Sequence, residues 1–302
     1  MLEKISLLSL DDNTKVLEDE SLKKHTTFGV GGKARIFIIP KTSDDIIKII
    51  QFAKKNNIKI SFIGSGSNIV ASDKGYNGII ISLKKSFNKI NFLNSEIHVE
   101  AGVMLNSMVK KAINKGYKGF ESLVGVPGTV GGAIIMNAGA HGSEISELFI
   151  SARTIDINGN LKIYDRNDIS FSYRDSSFSK NEILLDAKFK LIKGSIDIIN
   201  KKKKDVSIKR KTSQPLSYKS AGSIFKNPSN KIAAGYLIDK AGLKGLRIGD
   251  AEISQKHANF IINHGKAKSS EILNLISIMQ NKVKNEFNVK LELEVKIIGE
   301  RN

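Results

Sequence analysis

Two stretches of the chain have side chains so small that any chemistry there falls to the backbone. The first is "GSGSN" (64–68), directly after an apolar run. The second is "GVPGTVGGAIIMNAGAHG" (125–142), with six glycines and a single titratable side chain, His141. Consecutive backbone N–H groups beside Gly and small hydroxyl residues can wrap an anion, a phosphate above all. Gly64, Ser65, Gly66, Ser67 and Asn68 are the candidate contacts in the first stretch. In the second they are Pro127, Gly128, Thr129, Gly131, Ala133 and Asn137. Pro127 fixes one backbone angle, and Gly128, Gly131 and Gly132 admit close approach. Thr129 and Asn137 supply the few polar side chains.

Each stretch has an ordinary reading as well: a β-turn for the first, close packing of two elements for the second. "GSGSN" is not a Walker A loop, because the Gly-Lys-Ser/Thr ending is missing, and no helix follows to make a dinucleotide fingerprint. Two glycine-rich stretches in one α+β half are better explained by a large phosphorylated cofactor that spans both.

The elements that must position them read as follows. A turn and strand occupy 25–41, ending at Pro40. The segment 42–57 is an amphipathic helix with Ile46, Ile47, Ile50 and Ala53 on one face and Ser43 offering an N-cap oxygen. Strands follow at 58–64, from Ile69, at 78–83 and at 96–102, with a second helix at 104–117. A hairpin over 147–165 turns at Asn158-Gly159. Beyond the Lys-rich run at 200–211, a solvated helix face or linker, come a helix at 230–242 closing on Gly242 and a strand at 257–265. A long helix at 269–289, capped by Ser269 or Ser270, leads to a final strand at 290–300. The expected domains are 1–195, in two lobes split near 80, and 196–302.

Composition narrows the function classes. At 302 residues, with 40% hydrophobic and 26% charged residues, the chain has the makeup of a globular protein of more than one domain. With no Cys, thiolate metal sites, Fe–S clusters and Cys nucleophiles are excluded. His25, His98, His141 and His264 show no metal-ligand spacing, so no metal is expected, and the N-terminus does not read as a signal peptide. No apolar run reaches the ~18 residues of a membrane span, so a cytoplasmic protein is expected. The net charge of +18 is carried mostly by Lys, with only seven Arg, and aromatics are 7%. Base readout favours Arg and single-strand platforms need aromatics, so no nucleic-acid partner is expected.

Several motifs in order, "HTTFGVGG" (25–32), the two glycine-rich stretches, "FSYRDSSF" (171–178), "AGSIFKNP" (221–228), "KAGLKGLRIGDAEISQKHANFIIN" (240–263) and "LELEVKIIG" (291–299), closely resemble the UDP-N-acetylenolpyruvoylglucosamine reductase family over nearly the whole chain. The resemblance is to the family's shorter subtype, since only a modest interval separates Arg174 from Ser223. It implies an α+β fold class: a two-lobed FAD-binding domain of the vanillyl-alcohol-oxidase type plus a C-terminal α+β substrate-binding domain. FAD would be bound non-covalently, so neither His25 nor His141 would carry a flavin bond. NADPH would be the reductant, and the substrate a UDP-amino sugar handled by a monomer. An FAD-linked oxidase of the same fold is the alternative.

The resemblance also assigns roles. Arg174 matches the arginine that meets the substrate carboxylate; a planar fork suits this better than Lys, although a structural Arg bridging Asp175 or a nearby carbonyl is the ordinary reading. Tyr173 would line the site. Ser223 matches the proton donor. Glu294 matches the C-terminal glutamate that assists the developing enol carboxylate, whereas strand alternation alone does not separate it from Glu292. Lys226, Asn227 and His257 match substrate contacts, with Lys211 a weaker candidate.

Overall fold

The computed structural model describes residues 5, 8–140, 142–179, 181–229 and 231–300; His141 lies outside them. The chain forms two compact units that are not consecutive in sequence. One comprises Met1–Asp19, Ile36–Ser65 and Gly78–Ile208, the other Glu20–Arg35, Gly66–Asn77 and Lys209–Asn302. The expected division at 195/196 is a single cut. Here two N-terminal segments join the C-terminal part, and one crossing falls inside "GSGSN", between Ser65 and Gly66.

In the first unit a five-stranded antiparallel sheet runs in the order Leu161–Asp165, Phe149–Asp156, Glu182–Lys190, Glu96–Glu100, Ile90–Leu93. Strict alternation in Glu96–Glu100 puts Ile97 and Val99 into the core, while Glu182–Lys190 is buried along most of its length. The hairpin forms where expected, with Gly159 at φ 86. Its turn is closed by Asp156, which accepts from the backbone N–H groups of Asn160 and Asn158 and is held down at about 2 by them.

Helix Ser43–Lys55 buries Ile46, Ile49, Ile50 and Ala53. Its N-cap is Thr42 rather than Ser43: Thr42 Oγ1 accepts from the Asp45 N–H, and the Asp45 carboxylate accepts from the Thr42 N–H. This reciprocal pair needs an acid three residues on, which Asp45 supplies for Thr42. Helix Ile196–Ser213 carries the Lys run and buries only Ile199 and Val206, so most of its surface is solvated.

The second unit has its own core, built on Phe28, Val30, Val70, Ile224, Phe225, Ile238 and the inner face of helix Ser269–Phe287. That face is Ile272, Leu275, Ile276, Met279 and Val283, the spacing of one helical stripe. A three-stranded antiparallel sheet, Arg247–Ile248, Ala251–Ile253, Ile261–Asn263, packs with it. The helix expected at 230–242 is shorter, Ala234–Lys240, and still closes on Gly242 at φ 69. The strand expected at 257–265 is only Ile261–Asn263.

Two expectations for the C-terminal part are corrected by long-range partners. The long helix is capped at Lys268, not by Ser269 or Ser270. The Asp73 carboxylate accepts from the Ser269 and Ser270 N–H groups and from the Ser270 hydroxyl, doing the capping from 196 residues away. The final strand is only Lys296–Ile298, parallel to Ile69–Ala71. Before it, 291–295 pairs irregularly with the chain around Ile224, and a segment that changes partner cannot keep one ladder. No helix among the described residues is long and apolar enough to cross a membrane.

Candidate functional site

In the first unit the glycine-rich segment passes into helix Val130–Ile135, whose N-terminus is capped by Thr129 Oγ1 accepting from the Gly132 N–H. Gly64 comes against this cap: a Cβ there would lie 2.4 Å from Thr129 Oγ1, and that approach requires glycine. The two glycine-rich stretches therefore meet at Gly64. Gly131 likewise faces protein, with its N–H on the Ala101 carbonyl, whereas a Cβ on Gly132 would meet only Thr129 Oγ1, at 3.5 Å. Close packing accounts for some of the glycines and open space for others.

Asn137 ends the segment in the left-handed region, φ 40, and is fully buried. Its amide nitrogen donates to Glu144 Oε2 at 2.5 Å and to the Ser172 carbonyl at 3.0 Å. Both partners are acceptors, so the nitrogen must face them and Oδ1 must face away. Ser172 belongs to a small hairpin, Phe171–Ser172 against Asp175–Ser176, with Tyr173 and Arg174 as its two turn residues. The hairpin is tied to the glycine-rich segment twice more, by Ser176 Oγ donating to the Ile135 carbonyl (2.8 Å) and by Arg174 Nη2 donating to the Gly139 carbonyl (2.7 Å). The Arg174 guanidinium also lies over the Tyr173 ring, 4.9 Å from its centroid. Arg174 itself is left-handed, φ 56, as its place in the tight turn demands. Two motifs separate in sequence thus become one cluster. Glu144 was not legible as part of it, since nothing in a lone surface-type acid marks it as an amide acceptor.

A flavin nucleotide fits this unit by one physical criterion. Four buried polar atoms have no hydrogen-bond partner among the described residues, Ser65 Oγ, His98 Nε2, Ser122 Oγ and Asn137 Oδ1, and of these only His98 Nε2 has an ion-pair contact, with Asp186 at 3.0 Å. Buried polar groups without partners are costly, and a ligand rich in hydroxyl and N–H groups would supply them. Ser65 and Asn137 are expected cofactor contacts; Ser122 is new.

In the second unit Ser223, Lys226, Glu292 and Glu294 come together. The chain around Phe225 runs antiparallel to that around Leu293. The Lys226 N–H donates to the Glu292 carbonyl, and the Glu294 N–H donates to the carbonyl of Ile224, next to Ser223. Asn259, buried and absent from the sequence reading, braces this pairing: Oδ1 accepts from the Phe225 N–H and Nδ2 donates to the Phe225 carbonyl. Asn68 spends its amide on the Glu294 carbonyl (3.0 Å), which makes it a support for that segment. Glu292 is 72% exposed in its side chain and pairs with Lys226 Nζ at 2.8 Å, while Glu294 is half-buried. The two glutamates differ in environment, a distinction strand alternation did not make.

Asn227 Oδ1 accepts from the Ala234 N–H, at the start of helix Ala234–Lys240. Burial pulls the His257 imidazole below its ordinary value. Its Nδ1 accepts from the Asn259 N–H at 3.2 Å, so the neutral ring carries its proton on Nε2. Lys211 is exposed at the end of helix Ile196–Ser213, with its carbonyl taken by Lys256 Nζ. Among the described residues no cluster of His, Asp and Glu is arranged to hold a metal.

Residues 34–164 match an FAD binding domain, and the chain is accordingly an FAD-containing oxidoreductase of the α+β class. Residues 214–298 match the C-terminal domain of UDP-N-acetylenolpyruvoylglucosamine reductase. The reductase of that name from Caldicellulosiruptor bescii is 45% identical over 94% of this chain and 91% of its own, and that from Alkaliphilus oremlandii 40% identical over 94% of each. The crystal structure of the Thermus caldophilus UDP-N-acetylenolpyruvylglucosamine reductase superposes with a TM-score of 0.80 at 32% identity, covering 94% of this chain and 98% of the other. This chain belongs to the UDP-N-acetylenolpyruvoylglucosamine reductase family.

Proposed function

We propose that the enzyme reduces UDP-N-acetylglucosamine enolpyruvate to UDP-N-acetylmuramate with NADPH as reductant, a step in making peptidoglycan precursors. The observation that carries this reading is the antiparallel pairing of the Ser223 segment with the Glu294 segment. It lies within the range matched to the reductase's own C-terminal domain. A same-fold oxidase has no use for that range.

In this reading residues 1–195 hold FAD through Gly64, Ser65, Gly66, Ser67 and Asn68 and through Pro127, Gly128, Thr129, Gly131, Ala133 and Asn137. The open face at Gly132 and the unpartnered Ser65 and Asn137 oxygens support this. Residues 196–302 bind the sugar nucleotide, with Lys226, Asn227 and His257 as contacts and Tyr173 against the substrate. Lys226 meets phosphate as a point charge, and His257 offers a neutral Nε2–H donor. A cytoplasmic monomer accords with a sugar-nucleotide substrate and a pyridine-nucleotide reductant, both metabolites of the cell interior.

FAD, once reduced by NADPH, would supply a hydride to C3 of the enolpyruvyl double bond. Negative charge then develops at C2 and on the adjacent carboxylate. Arg174 takes that carboxylate with its planar fork, where two parallel N–H groups match two oxygens. The Ser223 hydroxyl delivers a proton to C2. A serine is a weak acid, so its oxygen must recover a proton at once from a neighbour or ordered water. Glu294, in its protonated form, would donate a hydrogen bond to the carboxylate as the enol form develops.

Anaerobic stopped-flow of the FAD-loaded protein tests the reading. Adding NADPH should bleach the flavin band, and adding UDP-N-acetylglucosamine enolpyruvate should restore it without oxygen. Recovery only on admitting oxygen would hand the function to an oxidase.

A further inference from the structure

Lys226 is the one cation among Ser223, Lys226, Glu292 and Glu294, and its ammonium is paired. Its side chain is only 17% exposed, and its one ion pair among the described residues is with Glu292, at 2.8 Å. The two residues are also matched through the backbone, the Lys226 N–H on the Glu292 carbonyl at 2.9 Å. The two ends of this pair are unequal. An ammonium largely withdrawn from water needs an anion beside it. A carboxylate that is 72% exposed keeps most of its hydration and loses little by turning into solvent. Such a pair is built to exchange the anion and keep the cation.

We propose that Glu292 is a resident counter-ion for Lys226, displaced by the diphosphate of the nucleotide substrate, and that it thereby limits how tightly that substrate and its product are held. This rests on the reading of Lys226 as a phosphate contact. A diphosphate brings more charge and more acceptor oxygens than one carboxylate, so it wins the exchange. Glu292 returns when the product leaves and shields the ammonium in the empty enzyme. The net effect is a lower affinity than a bare ammonium would give, and a faster release.

The test is calorimetric titration of the FAD-loaded enzyme with UDP, for the wild type, E292Q, K226M and the double variant. E292Q should bind UDP about two- to fivefold more tightly, the scale of an exposed pair. K226M should weaken binding, and in the K226M background E292Q should give no gain. In turnover, E292Q should lower KM for the sugar nucleotide without raising kcat. If K226M weakens UDP binding but E292Q leaves it unchanged or weaker, Glu292 orients Lys226 instead of competing for it, and the proposal fails. If K226M leaves UDP binding intact, the phosphate role of Lys226 falls with it.

Discussion

The Asn137–Arg174 cluster and the Ser223–Glu294 cluster are built from opposite materials. The first is centred on backbone and on two residues held at left-handed angles, Asn137 at φ 40 and Arg174 at φ 56, which donate to main-chain carbonyls and to Glu144. The second is made of titratable side chains on irregular, singly bridged segments, braced by one buried asparagine. On the proposed reading, the main-chain surface around Asn137 suits a cofactor that stays bound, while Arg174 and Tyr173 of the same cluster serve the substrate. Side chains with exchangeable partners, such as Lys226 with Glu292, suit a substrate that arrives and departs. The lesson is that retention and turnover ask for different chemistry, and a single chain can supply both.

The largest effect should come from Ser223→Ala. Flavin reduction by NADPH should be unchanged, while reoxidation by the sugar nucleotide slows about 10²- to 10⁴-fold. Equal loss of both half-reactions in stopped-flow would erase the division of labour between the clusters. Arg174→Lys comes next, with reoxidation slowed about 10²-fold because a point charge replaces a planar fork. An unimpaired rate would leave Arg174 as a brace for Gly139.

Asn137→Ala sharpens the comparison from the other side. It strips donors from Glu144 and the Ser172 carbonyl, so stability should fall by about 1–3 kcal/mol and FAD retention on dialysis should drop. A variant that melts as the wild type and keeps its flavin would deny the first cluster its rigid character. The smallest effect should be Asp73→Ala, about 1 kcal/mol for a lost helix cap, with sugar-nucleotide binding little changed. Burial pushes the Asp73 carboxyl up, but the bonds from Ser270 and Ser269 outweigh it and hold it below its ordinary 3.8. The cap therefore contributes fully above about pH 4 and is lost as pH falls through the lowered value. The variant's stability deficit should vanish in acid melts, and a deficit that persists there would point to lost packing instead.

Much of this was legible in the linear chain. Local hydrophobic spacing was enough to find helix Ser43–Lys55 and the stripe of helix Ser269–Phe287, and the Asn158-Gly159 dipeptide to find the hairpin, because amphipathic periodicity and turn chemistry are written residue by residue. The glycine-rich stretches announced themselves by composition, and the motif order marked the family. What the chain could not disclose were partners far away in sequence. Asp73 caps a helix from 196 residues off, Asn259 holds Phe225, and Asn68 holds the Glu294 carbonyl. The unequal lives of Glu292 and Glu294 belong with these. Two residues apart in one motif, they look alike until folding gives one a lysine at the surface and leaves the other half-buried. Short-range periodicity is a property of the sequence, whereas capping at a distance, burial and the pairing of charges exist only once the chain has closed its long loops.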